Sequence, residues 1–451
     1  MPSPTRRFWA LFVLWIACGP VLHAQTRPSG SDKDLAKKVG VLAEHWWRAR
    51  PASRFVDWDP KLRAEIEAEA RAIGPIPEGA LSSVVDALWA PSKKLGPKAQ
   101  VAKGKLTLST PYGDAWCWFS PAQRQPGVVI GLHGGGEDAG SADEPRGKWI
   151  MKNGIGIYPQ GIRLVHDTWN TVHGERFVLS LLDIAKVQYD ADPDRVYVMG
   201  FSMGGTGSWF FAGRHTDYLA GAAPFSGVLM AAPMSQVQTK EEVTEIQPGL
   251  VPNVFNLAMH YTIGLEDKNT RPGTYLFVAD VLEKLRERYP AGYGRIQFES
   301  FPGLAHEFPP GEPAAAFKFL FAQERATFPR EIVWEATRTM SPEPDSNDKV
   351  GRLVKPMFYW LGCKEIEERQ WVHAVREKNE IRLDFVKRAA GVKGLTIYLR
   401  GDMIDAKSDV VVRSGDTELW RGKPEPDVWT VLETLDEKLD RAMVFDRRIE
   451  F

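Results

Sequence analysis

Cysteine is scarce in this chain of 451 residues: there are three, too few for a disulfide scaffold, so the fold must rest on a packed core. Net charge is also nearly absent. Lysine and arginine number 57 against 58 acids, giving −1. A nucleic-acid binder normally carries an excess of basic residues on a domain scale, so that class is set aside. No apolar run reaches the roughly 20 residues needed to cross a bilayer. The 40 glycines and 32 prolines show no short period, which excludes collagen-like and simple-repeat chains. What is present is ordinary globular material, 43% hydrophobic and 25% charged, with 16 tryptophans. A disordered chain has fewer apolar residues and more net charge.

Residues 1–24 read as a secretory signal peptide. Arg6 and Arg7 precede the apolar run Phe8 to Cys18, and Gly19-Pro20 leads to the small-residue site Leu22-His23-Ala24. Cleavage is expected after Ala24, giving a secreted or periplasmic protein with no membrane span in its mature chain. Two alternatives are an uncleaved membrane anchor and lipid attachment at Cys18, where Ile16-Ala17-Cys18 loosely matches a lipobox. Cleavage removes two arginines and no acids, which takes the net charge from −1 to −3, and it leaves Cys117 and Cys363. These are expected to be free buried thiols.

The remainder divides into three segments. Residues 25–100 comprise a linker, Gln25 to Asp32, and a helical stretch in which Leu35, Val39, Leu42 and Trp46, then Leu62, Ile66 and Ala70, recur at helical spacing. Residues 101–327 alternate between strand and helix. Lys105 to Thr110 and Ala115 to Phe119 read as strands around the turn Tyr112-Gly113-Asp114. Gly127 to Leu132 and Arg195 to Gly200 are continuous apolar runs suited to parallel strands buried on both faces. Phe177, Leu181, Ala185 and Tyr189 mark a helix between them. Such alternation predicts an α/β domain with a mostly parallel sheet. Residues 328–451 change character again. Glu380 to Phe385, Leu395 to Leu399, Val410 to Arg413 and Thr417 to Trp420 read as a small antiparallel β domain.

Chemistry concentrates in the middle segment. Gly200-Phe201-Ser202-Met203-Gly204-Gly205 matches G-x-S-x-G between a buried strand and a helix-compatible stretch. That is the setting of a nucleophile elbow, where the turn is tight and residues two before and two after the serine must be small. Leu132-His133-Gly134-Gly135-Gly136 follows another buried strand. Consecutive glycines let backbone N–H groups approach a ligand oxygen. Gly135, with Gly134 beside it, and Met203 are therefore the candidate oxyanion-hole donors. His133 ends its strand ahead of the glycines and reads as structural.

A serine nucleophile needs a base and the base an orienting acid. His306 lies in the loop Gly303 to Phe308 after a strand-like stretch, and Asp267 in the loop after Ala258 to Ile263, with Glu266 the alternative acid. Open α/β sheets build their sites at such strand ends. His215, His260 and His373 lie less suitably. Trp169 is a candidate pocket wall or a core residue.

These motifs, together with Asp192-Pro193-Asp194-Arg195-Val196-Tyr197 and Gly264 to Asp267, resemble the secreted α/β-hydrolase serine esterases of the polyhydroxybutyrate-depolymerase and feruloyl-esterase kind, which are related to prolyl-oligopeptidase-type hydrolases. The resemblance covers about half the chain. It implies an α/β-hydrolase fold and carboxylic-ester hydrolysis through an acyl-enzyme on Ser202, Asp267 and His306, with no metal or organic cofactor and a small-molecule or polymer ester as substrate. Tyr261-Thr262-Ile263-Gly264 departs from the His-Gly common before the acid, and no propeller-sized segment precedes the hydrolase region. A peptidase of small peptides and a binding protein on a hydrolase scaffold are the rival readings. Trp420 and Trp429 raise the prospect of carbohydrate or polymer contact by the last segment; core packing is the alternative for both.

Overall fold

The computed structural model describes residues 30–122, 126–135, 140–162, 168–227, 250–270, 272–336, 355–363, 370–387 and 394–451. The residues expected to form the signal peptide lie outside this set.

The chain opens with helices α1 (Gly30–Ala49), α2 (Pro60–Ile73), α3 (Leu81–Trp89) and α4 (Ser92–Leu95). The first begins three residues inside the segment expected to be a linker. Leu35, Val39, Leu42 and Trp46 form its buried face, as their spacing predicts. Asp59 caps α2, accepting from the N–H groups of Lys61 and Leu62, with Pro60 just inside the start.

Nine strands then build the main sheet: β1 (Gln100–Ala102), β2 (Lys105–Thr110), β3 (Gly113–Ser120), β4 (Val128–Leu132), β5 (Ile155–Pro159), β6 (Val196–Phe201), β7 (Gly221–Phe225), β8 (Ala258–Gly264) and β9 (Ile296–Phe301). Their spatial order is β1-β2-β3-β5-β4-β6-β7-β8-β9. From β5 to β9 every pairing is parallel; β1, β2 and β3 join antiparallel at one edge. Helices α5 (Asp143–Lys148), α6 (Val172–Tyr189), α7 (Met203–Arg214), α8 (Pro272–Arg288) and α9 (Ala314–Leu320) connect the strands. This is the α/β-hydrolase fold. β4, β5, β7 and β8 are buried along their whole length and β6 up to Phe201, which is why β4 and β6 read as unbroken apolar runs.

The chain leaves β4 toward β5 on one side and returns to β6 on the other. Ligand crevices of open α/β sheets form at such a reversal, outside the carboxyl ends of the strands. The glycine loop follows β4 and Ser202 follows β6.

Nine further strands make two smaller sheets: β10 (Glu331–Glu335), β11 (Met357–Phe358), β12 (Leu361–Cys363), β13 (Trp371–Glu377), β14 (Glu380–Lys387), β15 (Leu395–Leu399), β16 (Val410–Ser414), β17 (Thr417–Gly422) and β18 (Arg447–Glu450). The orders are β10-β13-β14-β16-β17 and β11-β12-β15-β18, around a core that includes Trp334, Phe358, Trp360 and Ile397. Pairing is antiparallel except between β14 and β16, which run parallel.

A helix not anticipated from the sequence, α10 (Val428–Lys438), lies within this segment. Its Trp429, Val431, Leu432 and Leu435 share one core with α1, α2 and α3. Trp429 is only 3% exposed, so it packs the interior and cannot face a polymer. Trp420 is half-buried against the core between the two small sheets. Buried ion pairs cross the segment junctions. Asp217 meets Lys355 and Lys438, and Arg325 meets Asp440 at 2.6 Å while also pairing within its own segment with the partly exposed Asp194 at 2.7 Å. Removing one partner of such a pair leaves an uncompensated buried charge. Cys117 and Cys363 are both buried, and burial pushes the Cys117 thiol far above its ordinary range. Among the described residues no helix is long and apolar enough to cross a membrane.

Candidate active site

Ser202 stands between β6 and α7 with φ 57° and ψ −120°, a backbone region that costs a non-glycine residue about 1–3 kcal/mol. Neighbours hold it there. Its N–H donates to the Phe225 carbonyl at 2.9 Å, and its own carbonyl accepts from the Thr206 N–H at 3.0 Å. The flanking glycines are required by contact. A Cβ on Gly200 would lie 2.1 Å from the Gly204 carbonyl oxygen, and one on Gly204 would lie 2.1 Å from that of Leu132. The sharp turn raises Oγ at the N-terminus of α7, where the helix dipole favours negative charge.

The two loops that carry the candidate base and acid are laced together. The Leu265 N–H donates to the Phe301 carbonyl at 3.0 Å, and that of Glu266 to the Leu304 carbonyl at 2.9 Å. Asp267 then turns inward while Glu266 points to solvent, which removes Glu266 as the acid. Asp267 is fully buried. Its Oδ1 accepts from the N–H groups of Asn269 and Thr270 at 2.9 and 3.1 Å, and its Oδ2 from the Thr270 hydroxyl at 2.6 Å. Burial opposes its ionisation. The hydrogen bonds from His306 and Thr270 outweigh burial and hold the carboxyl below its ordinary range.

His306 completes the arrangement. Its Nδ1 lies 2.8 Å from Asp267 Oδ2 and its Nε2 3.0 Å from Ser202 Oγ. With the carboxylate ionised, Nδ1 carries the proton and Nε2 is left to accept from the serine hydroxyl. The imidazole is 22% exposed, so it is reachable from solvent. Phe201 packs its ring 4.8 Å from that of His306, and Phe308 lies 4.6 Å from Phe201.

The other candidate histidines have structural partners. His215 bonds the buried Glu175 at 2.7 Å, His260 sits between Gln297 and Glu312, and His373 pairs with Glu331 at 2.9 Å. His133 is buried beneath the glycine loop. Its Nε2 accepts from the Gly161 N–H at 3.0 Å, so its proton resides on Nδ1, which donates to the Gly134 carbonyl at 2.8 Å. Burial pushes its pKa down, which keeps it neutral.

Gly134 and Gly135 lie against the elbow. A Cβ on Gly134 would stand 3.8 Å from Ser202 Cβ, and one on Gly135 would stand 3.5 Å from Met203 Cβ. The Gly134 N–H donates to Glu144 at 3.3 Å, so that amide is already engaged. Gly136 lies outside the described residues.

Trp169 does not line a pocket. It is 1% exposed, its indole N–H donates to the His133 carbonyl at 3.0 Å, and its ring packs against Gly207 of α7. The apolar ring fills the space under the loop, and the polar edge satisfies a buried carbonyl. Glu144 and Thr270 escaped the sequence reading. Thr270 stands three residues after Asp267, the spacing of a side-chain turn, and could have been found by that signal. Among the described residues no cluster of histidine, cysteine and carboxylate side chains is arranged to hold a metal.

A cleft of about 680 Å³ opens elsewhere, between α3, the turn around Pro193 and the Arg441 region. It contains none of Ser202, Asp267 and His306, and its ionic lining belongs to the segment junction.

Residues 156–327 match the dienelactone hydrolase family. The match includes Ser202, Asp267 and His306 and stops short of the glycine loop. No curated protein matches the chain. Similar solved structures include a thermostable esterase, at 17% identity over 49% of this chain and 62% of that one, TM-score 0.37. Others are the acetyl xylan esterase from Aspergillus awamori, at 15% identity over 48% and 98%, TM-score 0.37, and the Bacillus cereus carboxylesterase, at 15% over 46% and 93%, TM-score 0.33. The chain thus spans less than two thirds of the first of these.

Proposed function

We propose that this protein is a serine hydrolase that cleaves carboxylic esters through an acyl-enzyme. The observation that carries the reading is the continuous chain of hydrogen-bonding atoms from Asp267 Oδ2 through His306 to Ser202 Oγ, at 2.8 and 3.0 Å. The match to a hydrolase family over 156–327 supports the same class.

In the proposed reaction His306 Nε2 takes the Ser202 proton as Oγ bonds to the ester carbonyl carbon. The N–H groups of Met203 and Gly135 receive the oxyanion. Collapse of the tetrahedral intermediate breaks the bond to the alcohol oxygen, and His306 returns its proton to that leaving group. Water, deprotonated by the same imidazole, then attacks the acyl-enzyme and releases the acid with Ser202 restored. Asp267 keeps the proton on Nδ1 throughout and stabilises the imidazolium. Each donor of this kind typically contributes about 10²–10³-fold to the rate.

The resemblance to polyhydroxybutyrate depolymerases and feruloyl esterases makes hydroxyacyl and aromatic acyl esters the first substrates to try. The signal-like N-terminus supports action outside the cytoplasm, and N-terminal sequencing of the exported protein should begin at Gln25. The decisive experiment is an ester panel of increasing acyl length, including feruloyl and hydroxybutyrate esters, on wild type and Ser202→Ala. Wild type should cleave members of the panel and Ser202→Ala should lose at least about 10³-fold. Retention of full activity by Ser202→Ala sinks the proposal, and faster cleavage of a dipeptide anilide than of p-nitrophenyl acetate replaces it with a peptidase.

A further inference from the structure

Among the described residues of the glycine loop, His133 to Gly135, there are two peptide planes, and three of their four polar ends are pinned. In the His133–Gly134 peptide the carbonyl accepts from Trp169 Nε1 at 3.0 Å, and the N–H donates to Glu144 Oε2 at 3.3 Å. In the Gly134–Gly135 peptide the carbonyl accepts from His133 Nδ1 at 2.8 Å. A trans peptide is planar, so its N–H points opposite to its carbonyl. The fourth end, the Gly135 N–H, is thereby aimed by the other three, on the residue whose Cβ position faces Met203 at 3.5 Å.

Glu144 reaches this loop from α5, and α5 also touches the loop that carries His306. The second oxygen of Glu144 lies 3.3 Å from Lys148 Nζ, one turn along the same helix. That ammonium stands 4.9 Å from the centre of the Phe308 ring, which packs on Phe201 and through it on His306. The carboxylate and the ammonium are 33% and 44% exposed, so the pair contributes little to folding. Its placement, against the amide that neighbours the oxyanion donor, has a different consequence. A bare carboxylate there would oppose a developing negative charge, and Lys148 offsets it.

We infer that Glu144 is a positioning residue of the ester-cleaving site: it takes up the Gly134 N–H so that Gly135 presents the oxyanion donor, and Lys148 neutralises the charge this brings close to the reaction. The inference rests on the serine-esterase reading. It assigns Gly134 a structural task and α5 a role in aligning the hole with the base.

The test uses the full chain with p-nitrophenyl acetate as substrate and a trifluoromethyl ketone as inhibitor, whose hemiketal oxygen occupies an oxyanion hole. Glu144→Ala should lower kcat about 10–100-fold, on the scale of a misaligned oxyanion donor, and weaken the inhibitor by the same factor. KM should stay within about twofold and Tm should fall by a few degrees at most, since the exposed ion pair adds little stability and a single backbone N–H loses its acceptor. Glu144→Gln still accepts the Gly134 N–H and should stay within about threefold of wild type, because a neutral acceptor keeps the geometry. Lys148→Met should lower kcat in wild type and have no effect in the Glu144→Gln background, where there is no charge to neutralise.

Unchanged kcat and inhibitor affinity in Glu144→Ala overturns the inference while leaving the esterase reading intact, provided wild type shows Ser202-dependent activity. Equal losses in the Ala and Gln variants, or a fall in Tm that tracks kcat, also overturn it, since either marks a packing role. A wild type without Ser202-dependent activity overturns both readings.

Discussion

A Cβ on Gly264 would stand 2.3 Å from the carbonyl oxygen of Leu304. This close approach is what brings the Asp267 loop and the His306 loop together. The bonds from Leu265 to Phe301 and from Glu266 to Leu304 form only when β8 and the following loop lie against the chain after β9. Gly264→Ala should therefore force these loops apart and lengthen the contact between Asp267 and His306. The expected result is a loss of kcat of about 10²-fold or more, the usual cost of a displacement near 1 Å. Ester hydrolysis measured beside Tm checks this, with kcat falling well beyond any loss of folded protein.

Asp267 and Glu266 are adjacent carboxylates with opposite environments, which makes them an internal control. Asp267 accepts four hydrogen bonds in a fully buried turn, whereas Glu266 is exposed. Asp267→Asn removes the charge that fixes the His306 tautomer and should lower kcat by about 10³–10⁴. Glu266→Gln should leave kcat and KM within about twofold, in line with an exposed surface change. Equal losses in the two variants would remove Asp267 from its proposed task.

Much of this architecture is written in local periodicity. Val128 to Leu132 and Val196 to Phe201 are continuous apolar runs because both faces of those strands are covered. Gly200, Ser202 and Gly204 announce their turn because the close contacts around it tolerate nothing larger. Other parts leave a fainter trace. β7 is Gly-Ala-Ala-Pro-Phe, small residues and a proline with low strand propensity, and it is a strand because β6 and β8 flank it. The Asp427 cap and the apolar spacing of α10 are present in the sequence, but the neighbouring alternation suggests strands throughout. Glu144 carries no motif. Its meaning comes from a contact ten residues away along the chain. Trp169 shows the reverse failing: position after β5 suggests a pocket wall, and only burial places it in the core.

That placement of Trp169 has a measurable consequence. Trp169→Phe keeps most of the ring and deletes the indole N–H, leaving the buried His133 carbonyl without that donor. The loss should be about 1–3 kcal/mol of stability, the usual cost of an unsatisfied buried group. A residue that lines the substrate site would instead change the dependence of KM on acyl length. For Trp169→Phe the acyl-length profile should keep its shape while the urea midpoint falls. A reshaped profile at unchanged stability would return Trp169 to the substrate.

Acid sensitivity should originate chiefly away from the active site, at His215 beside Glu175. Its Oε1 accepts from Arg214 Nε at 2.6 Å and meets His215 Nε2 at 2.7 Å, with all three side chains buried. Burial drives the His215 pKa down to about 4, against the pull of Glu175, so the imidazole stays neutral in the folded protein near pH 5. In the unfolded chain a histidine titrates near 6.5. A pKa depressed on folding means stability that is fully present above about 6.5 and lost progressively as pH falls toward 4. Glu175 itself is held down to about 2; burial opposes ionisation, but Arg214 and His215 prevail, so its own contribution disappears only below about 4.5. Within the loss between pH 6.5 and 4, His215 contributes roughly 3 kcal/mol at about 1.4 kcal/mol per pKa unit, and His133, whose pKa burial also lowers, adds to it in the same direction. His215→Gln retains an N–H donor for Glu175 and cannot be protonated. Urea midpoints measured from pH 7 to pH 4 should fall steeply in wild type and much less in His215→Gln. Parallel slopes for the two proteins would place the acid-labile group elsewhere.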